Sequence, residues 1–375
     1  MRKTSIIRKI QICLIAVLVM VGMAVPCHAA DLSAGETGPS TAVSQYLYDW
    51  TVTGYASAYK DITATVDVYS LSTVGSEITA QALVAVTMTL KDKSVSEIPA
   101  IRGMLSALGM TQYDPSVSLA AQLPASETGQ TKQQLAEAEA QLKDWYKELS
   151  EYINKPFTGN LMLTLKGKLM LDGRLDGLSV QLFIADGNDL VPAESVLPRP
   201  VPERQQDGVN HMNEIVQGTA ISRTPLSYTY NRITASNYAD QYTSTVTASP
   251  YYNTSYWNTA YSWYTGGDCV NYVSQALTAG GLPHDSYWKP YTNYWLSLSY
   301  FLPHMTSVGY FVASDYTWAN AGAVRVFVEN GVNTHIVMIT RNDLTTRWYS
   351  GHTNDEKQAP YSNQANRLYY KVAGS

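Results

Sequence analysis

Four prolines, Pro192, Pro198, Pro200 and Pro202, punctuate the charged stretch from Val191 to Gln206, and neither a helix nor a central strand runs readily through such spacing. The chain is therefore expected to divide there, with 191–225 as a linker between a unit at 31–190 and another at 226–375. A length of 375 residues leaves room for two compact domains, and 45% hydrophobic residues argue against wholesale disorder.

Residues 1–30 read as a signal peptide: Arg2, Lys3, Arg8 and Lys9 precede an apolar core from Ile10 to Val25 and the exit Cys27-His28-Ala29-Ala30. The core is shorter than the roughly 20 residues that span a bilayer, which favours cleavage over a permanent anchor and leaves no integral membrane segment afterwards. Pro26 disfavours lipid attachment at Cys27. Export would place the protein outside the cell or in the cell envelope, and bacterial export into the envelope fits a mature chain that needs no disulfide. Cys13 and Cys27 leave with the leader, so Cys269 is the one thiol of the mature chain and no intramolecular disulfide can form. The net charge of −5 includes four leader cations, leaving −9, which disfavours nucleic acid or an anionic membrane as the main partner.

The first unit shows strand alternation at Ile78, Ala80, Ala82, Val84, Val86, Met88 and Leu90, again at Leu161, Leu163 and Leu165, and again from Leu178 to Ile184. Thr131 with Gln134 makes a capping box for a helix whose apolar positions run from Leu135 through Trp145 to Tyr152, expected to lie across the sheet. These elements predict a small α+β domain without a catalytic constellation. Its charge runs, including Lys147-Glu148, read as a solvated helix face, and Ser33 to Ser44 as a flexible tether.

From about Leu226 the composition turns to tyrosine, with nine between Tyr228 and Tyr264. Such density suits a lightly charged globular surface or a groove that grips a sugar or peptide. There follows Gly266-Gly267-Asp268-Cys269-Val270-Asn271-Tyr272-Val273-Ser274-Gln275-Ala276-Leu277, a glycine turn running into a helix with Val270, Val273, Ala276 and Leu277 on one face. A thiol at a helix N-terminus meets unpaired N–H groups that favour thiolate and can stabilise an oxyanion, although a lone cysteine can equally be a small buried hydrophobe.

A base is needed, and among His211, His284, His304, His335 and His352 the context selects His335, which opens the apolar segment Thr334 to Thr340 after the turn Asn330-Gly331-Val332-Asn333. A polar turn at 342–346 then leads into Arg347-Trp348-Tyr349-Ser350-Gly351-His352, whose far end returns beside His335. His352 is thus the candidate for a third, orienting residue, with Asn354 and Asp355 in reserve. His284 and His304 fall in proline-flanked loops and His211 in the linker region, as ordinary polar residues.

These residues carry a family resemblance. Tyr230-Asn231-Arg232, Ala235, Tyr238-Ala239, the block from Gly266 to Gln275, Ala279-Gly280-Gly281 and His335-Ile336-Val337 resemble the amidase domain of exported bacterial proteins, which is similar to NlpC-type and CHAP-type cell-wall cysteine peptidases. The resemblance covers Tyr228 to Ala373. It implies a papain-like fold with a helix-borne Cys269 packed on an antiparallel sheet, His335 as base on that sheet and the third role on His352. One departure is Ala323 after Gly322, where the family has Gly-Asp. Asp268 is a candidate to orient the turn or to meet a substrate amine, and as a carboxylate beside the nucleophile it opposes thiolate formation.

The expected chemistry is attack by Cys269 on an amide carbonyl, proton transfer from His335 to the leaving amine, and hydrolysis of the thioester, with peptidoglycan or another envelope peptide as substrate. No cofactor is called for, and no metal-ligand spacing is present. The rival readings are a non-catalytic envelope-binding module with a vestigial cysteine, and an acyl transferase in which an amine resolves the thioester.

Overall fold

A computed structural model of the chain describes residues 38–124, 130–218 and 228–374. The leader, with Cys13 and Cys27, lies outside the described residues.

The first domain contains α1 (Pro39–Tyr55), β1 (Tyr59–Val74), β2 (Glu77–Leu90), α2 (Pro99–Ala107), α3 (Leu119–Gln122), α4 (Lys132–Ser150), β3 (Phe157–Lys168), β4 (Gln181–Asp186), β5 (Asp189–Pro192) and α5 (Val201–Val216). The five strands form an antiparallel meander in chain order. In β2 every second residue from Ile78 to Leu90 is buried, so the alternation in the sequence identifies the core face directly. The capping box at Thr131 and Gln134 is present, with the Gln134 amide donating to Thr131 Oγ1 at 3.2 Å and the Thr131 amide donating to Gln134 Oε1 at 2.7 Å.

Four expectations are corrected. Residues 39–44 belong to α1, with Val43 buried, rather than to a tether. The helix on β1 and β2 is α1, whereas α4 packs against α3 and α5. Residues 201–216, expected as linker, form α5, because Pro202 falls in the first turn, where a missing N–H costs nothing. That helix is welded to α2: a Cβ on Gly208 would strike the carbonyl of Ala100, and one on Gly103 the carbonyl of Gln205. Glu148, expected on a solvated face, is fully buried and pairs with Arg232 of the second domain at 3.0 Å. Burial pushes its carboxyl up, and Arg232 opposes the rise.

The second domain comprises α6 (Arg232–Gln241), α7 (Cys269–Ala279), α8 (Asn293–Leu296), α9 (Leu298–Ser307), β6 (Phe311–Ser314), β7 (Val324–Glu329), β8 (Val332–Asn342), β9 (Arg347–Gly351), β10 (Glu356–Pro360) and β11 (Arg367–Val372). Its sheet runs β10-β9-β8-β7-β11-β6, with every pairing antiparallel. The molecule is thus α+β, with two antiparallel sheets. Side chains alternate across β8. Ile336 and Met338 join Val324 and Val326 beneath Val270 and Val273 of α7, while Val337 and Ile339 join Phe327 and Tyr349 on the other face.

That other face meets the first domain. Trp348 is fully buried among first-domain residues, its ring 5.0 Å from Phe157 and 6.3 Å from Tyr55, and a Cβ on Gly159 would collide with it. Tyr59 donates to Asp343 at 2.8 Å, and Arg204 donates to Thr345 at 2.7 Å. The buried Arg325 and Asp186 form a two-pronged ion pair across the interface, one prong at 2.9 Å. Among the described residues no helix is long and apolar enough to cross a membrane.

Candidate active site

Gly266 and Gly267 have open space around them, and the Gly267 amide closes the turn on the Tyr264 carbonyl at 3.1 Å. Cys269 is the first residue of α7 and is 9% exposed. Asp268 stands at the N-cap, yet its side chain makes no bond to the helix amides. Its Oδ1 accepts from the Tyr264 amide at 3.0 Å and from Asn271 Nδ2 at 2.8 Å, and its Oδ2 faces His352 Nδ1 at 2.8 Å. The fully buried carboxylate is therefore engaged with the turn and with His352, in keeping with the expectation that it orients the turn. Because the carboxylate is spent elsewhere, the first-turn amides of α7 are not capped by it.

Three groups act to lower the pKa of the Cys269 thiol: the backbone N–H of Ile336, that of Val270, and the Thr353 hydroxyl. Burial pushes the thiol up, these donors pull it back, and the Asp268 charge adds to the rise. The resting form is accordingly a thiol held among groups that would stabilise a thiolate. Thr353 also accepts from the Asp268 amide at 3.1 Å, so one hydroxyl ties β9's exit to the start of α7. It does so at φ +91°, a region that a β-branched residue rarely adopts.

His335 pairs with Phe327, whereas Asn333 pairs with Val328, so a bulge at Thr334 interrupts the ladder beside the histidine. Its half-buried ring lies 5.1 Å from Phe327, on the face opposite the α7 cluster. Period-two alternation explains this: Ile336 reaches Cys269 through its N–H, and the preceding side chain turns the other way. Neither ring nitrogen of His335 hydrogen-bonds to another described residue. Packing around the ring drives its pKa down to about 4, and the charges of Arg325 and Arg367 add to the effect.

His352 is buried between Trp257, at 4.3 Å, and Tyr272, at 4.0 Å. Its Nε2 faces the Tyr242 carbonyl at 2.6 Å and its Nδ1 faces Asp268. Its partners are thus Asp268 and Tyr242, and not His335. The reserve candidates are elsewhere: Asp355 accepts from Trp257 Nε1 and from the Asn253 amide, both at 2.9 Å, and burial pushes its carboxyl up. Asn354 reaches Asn188 of the first domain at 3.3 Å.

Asn271 and Gln275 pack the helix into its surroundings, bonding Trp295 at 2.7 Å and Tyr238 at 2.7 Å. His304 lies in α9 rather than a loop and meets Asp285 at 2.7 Å. His211 lies on α5 and stacks on Trp318 at 3.9 Å. Sequence reasoning missed Thr353, although it directly follows His352, and missed Arg325 and Arg367, which strand periodicity marks only as sheet positions. Among the described residues no group of three or more His, Cys, Asp or Glu side chains could hold a metal ion.

The stretch that builds this geometry is also where the likeness to known proteins falls. Residues 229–372 match the family model described as "Putative amidase domain". The amidase-domain match takes in Cys269, His335 and His352, stops short of the first domain, and points to amide hydrolysis in general. A 52-residue stretch is 42% identical to the "Uncharacterized protein YjcM" of Bacillus subtilis (strain 168), covering 14% of this chain and 13% of that protein. The chain thus spans only a small part of that relative, and no solved structure matches it.

Proposed function

We propose that residues 229–372 form a thiol-dependent amide hydrolase of an exported protein, papain-like in plan, with Cys269 as nucleophile and peptides of the bacterial envelope as substrate. The observation that carries this reading is the placement of Cys269 as the first residue of α7, where the Asp268 side chain leaves the helix amides uncapped and the Val270 N–H, the Ile336 N–H and the strained Thr353 hydroxyl act to lower the thiol pKa. Charge that develops on sulfur, and then on the attacked carbonyl oxygen, meets fixed dipoles.

In the proposed sequence, His335 takes the thiol proton as sulfur adds to the carbonyl carbon. It then gives that proton to the leaving amine as the C–N bond breaks, and water resolves the thioester to acid and free thiol. His335 must swing from Phe327 toward the sulfur, a rotation at the bulged end of β8. Asp268 and His352 act as positioning residues that hold the turn.

A second reading is favoured by the Asp268–His352 contact, which orients an imidazole against the residue that precedes the nucleophile; in it His352 leaves the Tyr242 carbonyl and acts as the base through Nε2.

Residues 31–375, purified and incubated with peptidoglycan, are expected to release new amines and fragments, and Cys269→Ala to release none. His335→Ala should cost about 10²–10⁴-fold in turnover if His335 is the base, with His352→Gln retaining measurable rate. The reverse ranking would transfer the role to His352. Equal digestion by Cys269→Ala would end the thiol mechanism.

A further inference from the structure

The first domain is docked onto the wall that holds His335. The turn between β4 and β5 presents Gly187 at φ +64°, and a Cβ there would collide with the Phe327 ring. Phe327 in turn lies 5.1 Å from the His335 ring and carries the Arg325 guanidinium at 4.7 Å and the Arg367 guanidinium at 4.3 Å. Each guanidinium is met by a carboxylate at one end of that hairpin: Asp186 ends β4 and binds Arg325, and Asp189 begins β5 and binds Arg367 at 2.5 Å. Glu356 of β10 stands behind, accepting from Tyr349 at 2.7 Å, and the Tyr349 hydroxyl accepts from the Gly187 amide at 3.1 Å.

We infer that the β4–β5 hairpin of the first domain is a positioning element for the resting His335, holding Phe327 beside the ring from which it swings and neutralising the two cations that flank it. The inference rests on the reading of His335 as the base. It gives the first domain a function in the site that is distinct from recognition of substrate. Packing two buried guanidinium groups already calls for a carboxylate on each, and the same pairing sets the charge beside His335. Both ends of the hairpin carry one, each on an arginine whose field reaches the histidine. An unpaired cation beside an imidazole disfavours its protonation, so loss of either carboxylate leaves His335 a weaker base.

The test uses the whole chain in a Cys269→Ala background, where no hydrolysis or thiol titration intrudes, and follows the ring protons of His335 by NMR across pH. Asp189 is half exposed, so Asp189→Asn is expected to fold. It should lower the His335 midpoint by about half a unit or more, Arg367→Gln should raise it, and the pair together should bring it back toward or above the parent value. Opposite signs follow from charge alone, because both single variants break the same contact. Shifts of the same sign, or none, would overturn the inference. Activity of Asp189→Asn in the parent background is read separately. If the titration moves as expected while His335→Ala keeps full turnover, the positioning stands and the assignment of the base fails.

Discussion

The two faces of the six-stranded sheet solve opposite problems. Toward α7, β7 and β8 offer Val324, Val326, Ile336 and Met338, an apolar bed on which the helix bearing Cys269 lies with no charged side chain of those strands beneath it. Toward the first domain the same strands offer Arg325, Phe327 and His335, joined by Tyr349, Tyr361 and Tyr369, and the arginines there are buried with carboxylate or aromatic partners. A buried guanidinium is tolerable only when it is paired. The charged face therefore requires the first domain, whereas the apolar face requires only α7. The thiol and the histidine sit at the border between these environments, and each is held in its neutral form by burial.

Replacing the tryptophan that crosses this border is expected to have the largest effect. Trp348→Ala empties a fully buried site lined by Tyr55, Phe157 and Gly159, and should cost about 3–5 kcal/mol. Urea melts read by far-UV dichroism would check it. A loss below about 1 kcal/mol would mean that the charged face does not depend on the first domain.

Glu356 sharpens the contrast through pH. Burial raises its carboxyl from 4.5 to about 7. A folded pKa above the unfolded one contributes stability below about pH 4.5, and that contribution is lost as pH rises through about 7. Glu356→Gln should therefore be nearly neutral near pH 5 and stabilising by about 1–3 kcal/mol near pH 8.5. Equal effects at the two pH values would show that the carboxyl is ionised in the folded chain at both.

The smallest effect belongs to the other face. Because the Cys269 thiol is pushed up, iodoacetamide should modify it slowly at neutral pH, about tenfold faster per pH unit until the thiol titrates. Thr353→Val removes one donor to the sulfur and should slow modification by about three- to tenfold. Unchanged rates would remove Thr353 from the donor cluster.

Much of the architecture was legible in the sequence. The alternation of Ile78 to Leu90, the box at Thr131 and Gln134, the helix after Gly266-Gly267 and the hairpin around Asn342 all reappear, because each depends on residues close in the chain. The prolines near 200 misled because the same residue that breaks a helix interior begins one. Glu148 misled because its neighbours are solvated, and only the arrival of Arg232 explains its burial.

By itself, the sequence determined the local element on which each candidate residue sits: Cys269 after a glycine turn, His335 at the head of a strand, His352 at the end of the next. Those are consequences of backbone freedom and side-chain period, which act over a few residues. Tertiary structure alone decided that His352 turns to Asp268, that Thr353 meets the Asp268 amide, and that His335 lies beside Phe327, which carries Arg325 and Arg367 and meets a hairpin more than a hundred residues earlier in the chain. A period of two says that neighbours on a strand face apart, but which face is apolar and which is charged depends on what each is packed against.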